Sequence, residues 1–304
     1  MHNNYSFAII TPSYALDFAR CQLLCKTLEQ HSLSPIKHYI IVDQQDWKQF
    51  QTLQHQNREI ITVESVIPWW IKKVTLFKNG WISLKSLPLR NWIIQQIVKL
   101  SIAQYITEDV LIFVDSDVAF VRPFNVQNFV KNNQIRLYSI PNAIASETQP
   151  LARWCEVSNK LLGLPPVTYP TANHLGNFIT WKRDNVLALH QYLEKIHGKS
   201  WIEVIANSWH LSEYILYGTF IELILKEESQ HYYDPQMVCH DYWKTTPMSE
   251  IEIKNFVFNL PDEHFALMIS AKSGTPLQSY IPYVLPKQQT TITGQSPTIF
   301  CMEN

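Results

Sequence analysis

Glycine is scarce in this chain. Seven occur in 304 residues: Gly80, Gly163, Gly176, Gly198, Gly218, Gly274 and Gly294. None stands in a Gly-x-Gly-x-x-Gly or P-loop arrangement, which excludes a glycine-rich backbone cradle for phosphate. Cysteine is sparse and odd in number (Cys21, Cys25, Cys155, Cys239, Cys301). Cys21 and Cys25 share one face of an expected helix, but no second Cys or His pair follows at zinc spacing, so buried free thiols are the reading. No apolar run reaches the ~18 residues that span a bilayer. Residues 1–7 are polar and show no leader, so the chain is expected to be soluble and cytoplasmic, with no transmembrane segment and room only for peripheral membrane contact. Neither sign of charge is in excess: 25 basic against 26 acidic residues, net −1. That balance gives no electrostatic reason to expect nucleic acid, or an anionic membrane, as the main partner.

What the chain does contain is core, with 46% hydrophobic residues and 12% aromatic. The organising stretch runs from Asp109 to Phe124. Residues 110–114 are apolar at every position, as in a strand buried on both faces of a parallel sheet. They lead into Asp115-Ser116-Asp117. In extended backbone, positions i and i+2 point to one side, so the two carboxylates repel unless a cation sits between them. A hard divalent ion with oxygen ligands is the natural partner. Open α/β sheets also bind ligands outside the carboxyl ends of their strands. Without a glycine cradle, a metal held by Asp115 and Asp117 is what would neutralise a bound diphosphate. The alternative is a pair of turn acids capping the strand.

Strands and helices alternate around this stretch. Residues 5–11 read as a first strand, 18–30 as a helix capped by Asp17, and 38–42 as a second strand ending at Asp43. A short helix near 47–54 and a strand near 59–63 follow. Such alternation argues a parallel α/β sheet with right-handed crossovers. Residues 65–88, with Trp69, Trp70, Trp81 and four lysines, read as a loop-rich insertion, either a flap or a surface loop. Residues 89–105 form a strongly amphipathic helix. Asn125 caps a helix to about residue 132, 136–140 is a strand, and a helix over 151–162 stops at Gly163-Leu164-Pro165-Pro166. Beyond the polar segment 171–177 come a strand over 178–181, a helix from Asp184 to about 197, and another over 209–226 with Glu213 in its first turns. Residues 236–243 and 256–269 read as short strands. One domain is expected over 1–285, with a nucleotide-type half to about 140 and an acceptor half from about 141. A Thr/Gln/Pro-rich tail over 286–304, poorly ordered, completes the chain.

Several segments together resemble the glycosyltransferases of the GT-A fold, and among them the bacterial DUF6492 type. They are Phe7-Ala8-Ile9-Ile10-Thr11-Pro12-Ser13-Tyr14, Ile41-Val42-Asp43, Gln95-Gln96-Ile97-Val98-Lys99-Leu100, Val114-Asp115-Ser116-Asp117 with Phe120-Val121-Arg122-Pro123-Phe124, and Ser212-Glu213-Tyr214-Ile215-Leu216-Tyr217-Gly218. The likeness spans residues 5 to about 220. It implies a Rossmann-like α/β domain whose mixed, mainly parallel central sheet is flanked by helices. It also implies transfer of a hexose-like sugar from a nucleotide-sugar donor, UDP-linked first, to a glycan or other hydroxyl acceptor, as in bacterial polysaccharide synthesis. Mn²⁺ or Mg²⁺ is the implied cofactor. By the same likeness Thr11, Ser13 and Tyr14 would face the nucleoside, Asp43 the base or ribose, and Lys99 the donor. Asp115 would contact ribose or metal, and Asp117 would ligate the metal. His240, in Val238-Cys239-His240-Asp241, is the candidate for a C-terminal metal ligand, with His264 the alternative. Lys272, in Ser270-Ala271-Lys272-Ser273-Gly274, could bind phosphate. The chain lacks the His-x-x-Gly ending of some relatives, which leaves the third ligand open.

Inverting transfer needs a carboxylate to take the acceptor proton. Glu213 is the candidate, and it reads equally as a first-turn acid favoured by the helix dipole. Glu203 and Asp241 stand behind it. His174 and Asn177 could flank the sugar or simply shape a loop. The tryptophans Trp69, Trp70 and Trp81 could line an acceptor groove or pack. Two rival classes share the pattern. A phosphatase of the haloacid-dehalogenase type also places Asp-x-Asp after a hydrophobic strand, with the first Asp as nucleophile. Here Ala119 stands where Thr or Val is usual, and no later acidic pair follows on a strand end. The other rival is a non-catalytic sugar- or nucleotide-binding protein on the same fold.

Overall fold

A computed structural model of the chain describes residues 5–74 and 80–285. Five strands build its central sheet, in the order Ile179–Lys182, Val110–Phe113, Phe7–Pro12, Lys37–Val42, Arg58–Thr62. The last four run parallel, with Ile9 paired to both Ile112 and His38. Ile179–Lys182 runs antiparallel to Val110–Phe113. The expected α/β architecture, a mainly parallel sheet flanked by helices, is therefore present, with one edge reversed.

The apolar strand sequences follow from burial on both sides. Ala8, Ile10, Leu111 and Phe113 pack in one cluster with side chains of the helices Asn91–Ser101, Arg183–His197 and Glu213–Phe220. The alternate residues Phe7, Ile9, Val110 and Ile112 pack with Leu24 and Leu28 of the helix Phe18–His31. Each buried side chain of this size contributes roughly 1.5–3 kcal/mol over leaving it exposed. The chain begins mid-sheet and steps outward through Lys37–Val42 and Arg58–Thr62. It then returns by way of Asn91–Ser101 to the other side of the first strand. Strand order therefore reverses between Phe7–Pro12 and Val110–Phe113, and it is outside the carboxyl ends of such a pair that open α/β sheets form ligand crevices.

Beyond Val114 the chain leaves the sheet. The Val118 amide donates to the Asp115 carbonyl at 3.2 Å, closing a turn over Asp115-Ser116-Asp117. The next strand, Val118–Phe120, belongs to a second sheet ordered Cys239–Tyr242, Ala266–Ile269, Val118–Phe120. Behind it Phe120, Phe124, Phe178 and Phe265 pack with ring centroids 4.5, 5.4, 5.1 and 5.0 Å apart. The Arg122 guanidinium donates to the carbonyls of Leu260 (2.8 Å), His264 (3.0 Å) and Pro261. The tripeptide is thus a short link clamped between two sheets.

Several boundaries differ from those expected. Residues 209–212 are not helical. The α-helix is Glu213–Phe220, continued by a π turn over Ile221–Leu225. The Leu211 carbonyl accepts from the Trp92 indole at 2.7 Å, and the Trp209 carbonyl from Arg90, so side chains of a neighbouring helix take the groups that an earlier helix start would use. Within 256–269 only Ala266–Ile269 is a strand; Glu250–Phe258 is a helix opened by a Ser249/Glu252 capping box. Residues 65–88 are more regular than expected, with Ile71–Val74 and Gly80–Ser83 forming an antiparallel pair. After Asn125, whose side chain caps Gln127, there is one 3-10 turn, Val126–Phe129, rather than a helix to residue 132. A further helix, Leu277–Val284, follows the second sheet. Cys21, Cys25, Cys155 and Cys239 are buried free thiols as expected, while Cys301 and the 286–304 tail lie outside the described residues. Among the described residues no helix is long and apolar enough to cross a membrane.

Candidate functional site

Asp115 and Asp117 stand at the carboxyl end of Val110–Phe113, where the strand order reverses. Asp117 Oδ2 accepts the Ala271 amide at 3.0 Å. Ala271 lies in a turn closed by the Ser273 amide on the Ser270 carbonyl (2.9 Å), ending at Gly274 with φ +70°, a conformation that favours glycine. Burial and the neighbouring Asp115 raise the Asp117 carboxyl to about 7, although the Ala271 hydrogen bond opposes the rise. Asp17, at the exit of the first strand, shares this field. Burial raises its pKa, Arg20 lowers it and Asp115 raises it again. Tyr14 beside it is raised by burial and by Asp17. Arg20 sits 3.6 Å from Asp17 and donates to the Thr275 carbonyl at 3.4 Å. Tyr280 of the last helix is pushed to about 12 by burial, against Arg20, with Asp117 adding to the rise. Three carboxylates from two adjacent strand ends thus crowd one place, and their mutual repulsion is only partly offset.

The second cation is Lys99. Its Nζ lies 2.9 Å from Glu213 Oε1 and donates to Tyr214 Oη at 2.8 Å. Glu213 opens its helix, is 1% exposed, and its amide donates to Gln96 Oε1 at 3.0 Å. Burial alone would lower the Lys99 pKa, but Glu213, Tyr214 and Asp115 raise it well above the ordinary value. Lys99 is therefore a fixed cation that feels Asp115, and Glu213 is the group that holds it.

The structure brings some expected site residues together and separates others. Tyr14 joins the aspartates. The Thr11 hydroxyl does not face the crevice. It is fully buried and bonded to His38 Nε2 at 3.0 Å, because Thr11 pairs with Ile40 in the sheet and its side chain points into the interior. Ser13 donates its amide to the Ile41 carbonyl at 2.9 Å. Asp43 is ion-paired with Lys73 of the Ile71–Val74 strand, a partner that the sequence did not suggest. Lys272 is exposed on the turn that holds Asp117. His174 is held by other partners. Its ring fills the space over Gly218, where an added Cβ would meet it at 2.2 Å, and its nitrogens approach the Tyr138 carbonyl (3.3 Å) and Glu222 (3.5 Å). That is the packed, structural alternative.

His240 is separated from the aspartates by strand alternation. In Cys239–Tyr242 it faces away from Cys239 and Asp241, with its ring 4.2 Å from Phe256 and 5.7 Å from His264. Asp241 is the residue that feels Asp115. Burial raises its pKa, and Cys239, Asn177 and Trp243 oppose the rise. Its Oδ1 has no hydrogen-bond partner among the described residues. Asp17, Arg20, Lys73, Asp241 and Tyr280 thus complete the neighbourhood. Of these only Asp17 and Asp241 carried a signal in the sequence, one as a helix cap and one as a lesser base.

Among the described residues no group of three His, Cys, Asp or Glu side chains could hold a metal ion. The donor set available at the crevice is the carboxylate pair Asp115 and Asp117. A cavity of about 530 Å³ lies elsewhere, lined by Arg153, Glu156, Lys160, Lys199, Glu203 and Trp209 among others. Its acids are already paired, Glu156 with Arg153 at 2.9 Å and Glu203 with Lys199 at 3.5 Å. It lacks the uncompensated charge that marks the Asp117 site. A family model described as a family of unknown function, DUF6492, matches residues 7–285. No curated protein matches the chain.

Proposed function

The chain belongs to the DUF6492 family, whose function is unknown, and from that premise we propose that it is a metal-dependent glycosyltransferase of GT-A type. It takes a nucleotide sugar, UDP-linked first, as donor and a hydroxyl of a glycan or small molecule as acceptor. One observation carries the reading: two carboxylates at the carboxyl end of a buried strand, at the reversal of strand order, with Asp117 raised to about 7 by burial and by Asp115. Such a pair is under-compensated and suited to a divalent cation. Two carboxylates do not make a protein cage. They fit an ion of the Mg²⁺ or Mn²⁺ kind, which is commonly held by one or two carboxylates with substrate phosphates supplying further oxygens. Asp115 and Asp117 would hold it, and when bound it supplies Lewis-acid stabilisation of the leaving diphosphate.

The remaining roles fall to side chains of this chain. Lys99, locked by Glu213 and Tyr214, presents a fixed positive charge towards the donor. Tyr14 and Asp43 flank the nucleoside, and Lys272 reaches the phosphates from the turn that holds Asp117. The acceptor oxygen forms its bond to the anomeric carbon as the bond to the diphosphate breaks, and the diphosphate departs with that electron pair. The acceptor proton passes to a carboxylate. Glu213 is committed to Lys99, so Asp241, with its unpartnered Oδ1, is the better placed base. A donor-hydrolysis assay with Mn²⁺ and UDP-, GDP- and CMP-sugars tests the reading. Metal-dependent turnover of one nucleotide class supports it. Binding without turnover points to a binding module, and ester hydrolysis without nucleotide preference to a phosphatase.

A further inference from the structure

The even overall charge hides a local asymmetry. Between Glu64 and Glu108 there is no acidic residue, and the same stretch holds six cations: Lys72, Lys73, Lys78, Lys85, Arg90 and Lys99. Lys73 and Lys99 are spent inside, on Asp43 and Glu213. The antiparallel pair Ile71–Val74 and Gly80–Ser83 sorts its residues by alternation. Lys73 pairs with Trp81 on the inner face, where Trp81 is buried, and Lys72 pairs with Ile82 on the outer face, where both are exposed. The Leu84 amide donates to the Trp70 carbonyl at 3.1 Å, which continues the ladder by one step. Leu84 (72% exposed) thereby shares the outer face with Lys72 and Ile82, and Trp69 (73%) and Leu87 (73%) stand exposed on the segments that flank the ladder. Large apolar side chains at that exposure, in a stretch whose own charged residues are all cations, are the composition of a surface that lies in a lipid headgroup region, although one of those cations, Lys85, also lies 3.9 Å from Glu203.

We propose that the exposed surface formed by Ile82, Leu84 and Lys72 of the hairpin, with the flanking Trp69, Leu87 and Arg90, docks on an anionic lipid bilayer. Trp is favoured at the headgroup level, and lysine and arginine are drawn to anionic lipid. A second copy of the chain fits this face less well, since a two-fold interface would set its cations against themselves. The inner face of the same hairpin holds Lys73 on Asp43, so docking sets the carboxyl end of the central sheet beside the lipid surface. The proposal does not depend on the glycosyltransferase reading, and its test uses neither metal nor nucleotide. The full chain is sedimented with phosphatidylcholine vesicles, with mixed phosphatidylglycerol/phosphatidylcholine vesicles, and alone. Binding is expected only to the mixed vesicles, and to fall as salt rises. Leu84→Ser/Leu87→Ser is expected to weaken it about tenfold or more, and Lys72→Gln about fivefold. All three side chains are exposed, and unchanged circular dichroism identifies folded variants. Wild-type protein left in the supernatant overturns the proposal, as does equal binding by the variants. Sedimentation without vesicles that Leu84→Ser/Leu87→Ser abolishes also overturns it, and identifies the face as a self-association surface.

Discussion

Replacing Asp117 by Asn should stabilise the metal-free protein while destroying the proposed function. An ordinary aspartate near 3.8 is raised here to about 7, first by burial and then by Asp115. At low pH both folded and unfolded chains carry the proton. As pH rises above about 4 the unfolded chain ionises first, so folding becomes progressively less favourable until the folded carboxyl also ionises near 7. A shift of about 3 units corresponds to at most about 4 kcal/mol lost between pH 4 and pH 8. Asn keeps an oxygen for the Ala271 amide and removes the charge. Urea unfolding in chelator at pH 4.5, 6 and 8 measures this. Asp117→Asn should match wild type near pH 4.5 and exceed it at pH 8 by a midpoint shift on the order of 1 M urea. Burial of Asp17 and Asp241 gives both proteins a residual slope of the same sign. Saturating Mn²⁺ with UDP should stabilise wild type by ~2.7 kcal/mol at a hundredfold excess over Kd and leave the variant unmoved. Coincident midpoints at pH 8, or a less stable variant, would refute the reasoning.

Lys99→Ala strands Glu213 as a buried unpaired acid. Urea unfolding should show a loss of about 3–5 kcal/mol, and Lys99→Met/Glu213→Leu should recover most of it; equal losses in both would contradict the pair's role. Gly218→Ala drives a methyl into the His174 ring and should cost about 1–3 kcal/mol, read as a lowered Tm, with His174→Ala largely relieving it in the double variant. Asp241→Asn should leave Mn²⁺-dependent donor binding intact and slow transfer by about 10²–10⁴-fold. Unchanged transfer would place the base elsewhere.

The parts of this fold that the sequence revealed are those decided locally. The run at 110–114 is apolar on both faces, so it reads as an interior strand without knowledge of its neighbours, and Asp115 and Asp117 inherit their position from it. The helix Phe18–His31 shows its period directly. Strand direction is a different matter. Ile179–Lys182 looks like the parallel strands because its burial is the same, and only its connection makes it antiparallel. The Glu250–Phe258 helix was legible in Ser249 and Glu252, but the apolar run Phe256-Val257-Phe258 imitated a strand. Half of the site comes from tertiary contacts that no local pattern encodes. Asp17 was legible only as a cap, yet its side chain caps nothing and joins the acid cluster. Tyr280 and Lys73 arrive from distant segments. His240 and Asp241 are adjacent in sequence and opposite in space, so one step along a strand decides which of them meets Asp115.

The central claim is that Asp115 and Asp117 hold a divalent ion together with a nucleotide diphosphate. Calorimetric titration of UDP into the protein, with Mn²⁺ and then with chelator, for wild type and Asp117→Ala, tests it most directly. Binding should occur for wild type with Mn²⁺ and vanish both in chelator and in Asp117→Ala. UDP binding of equal strength in all four experiments would contradict the account.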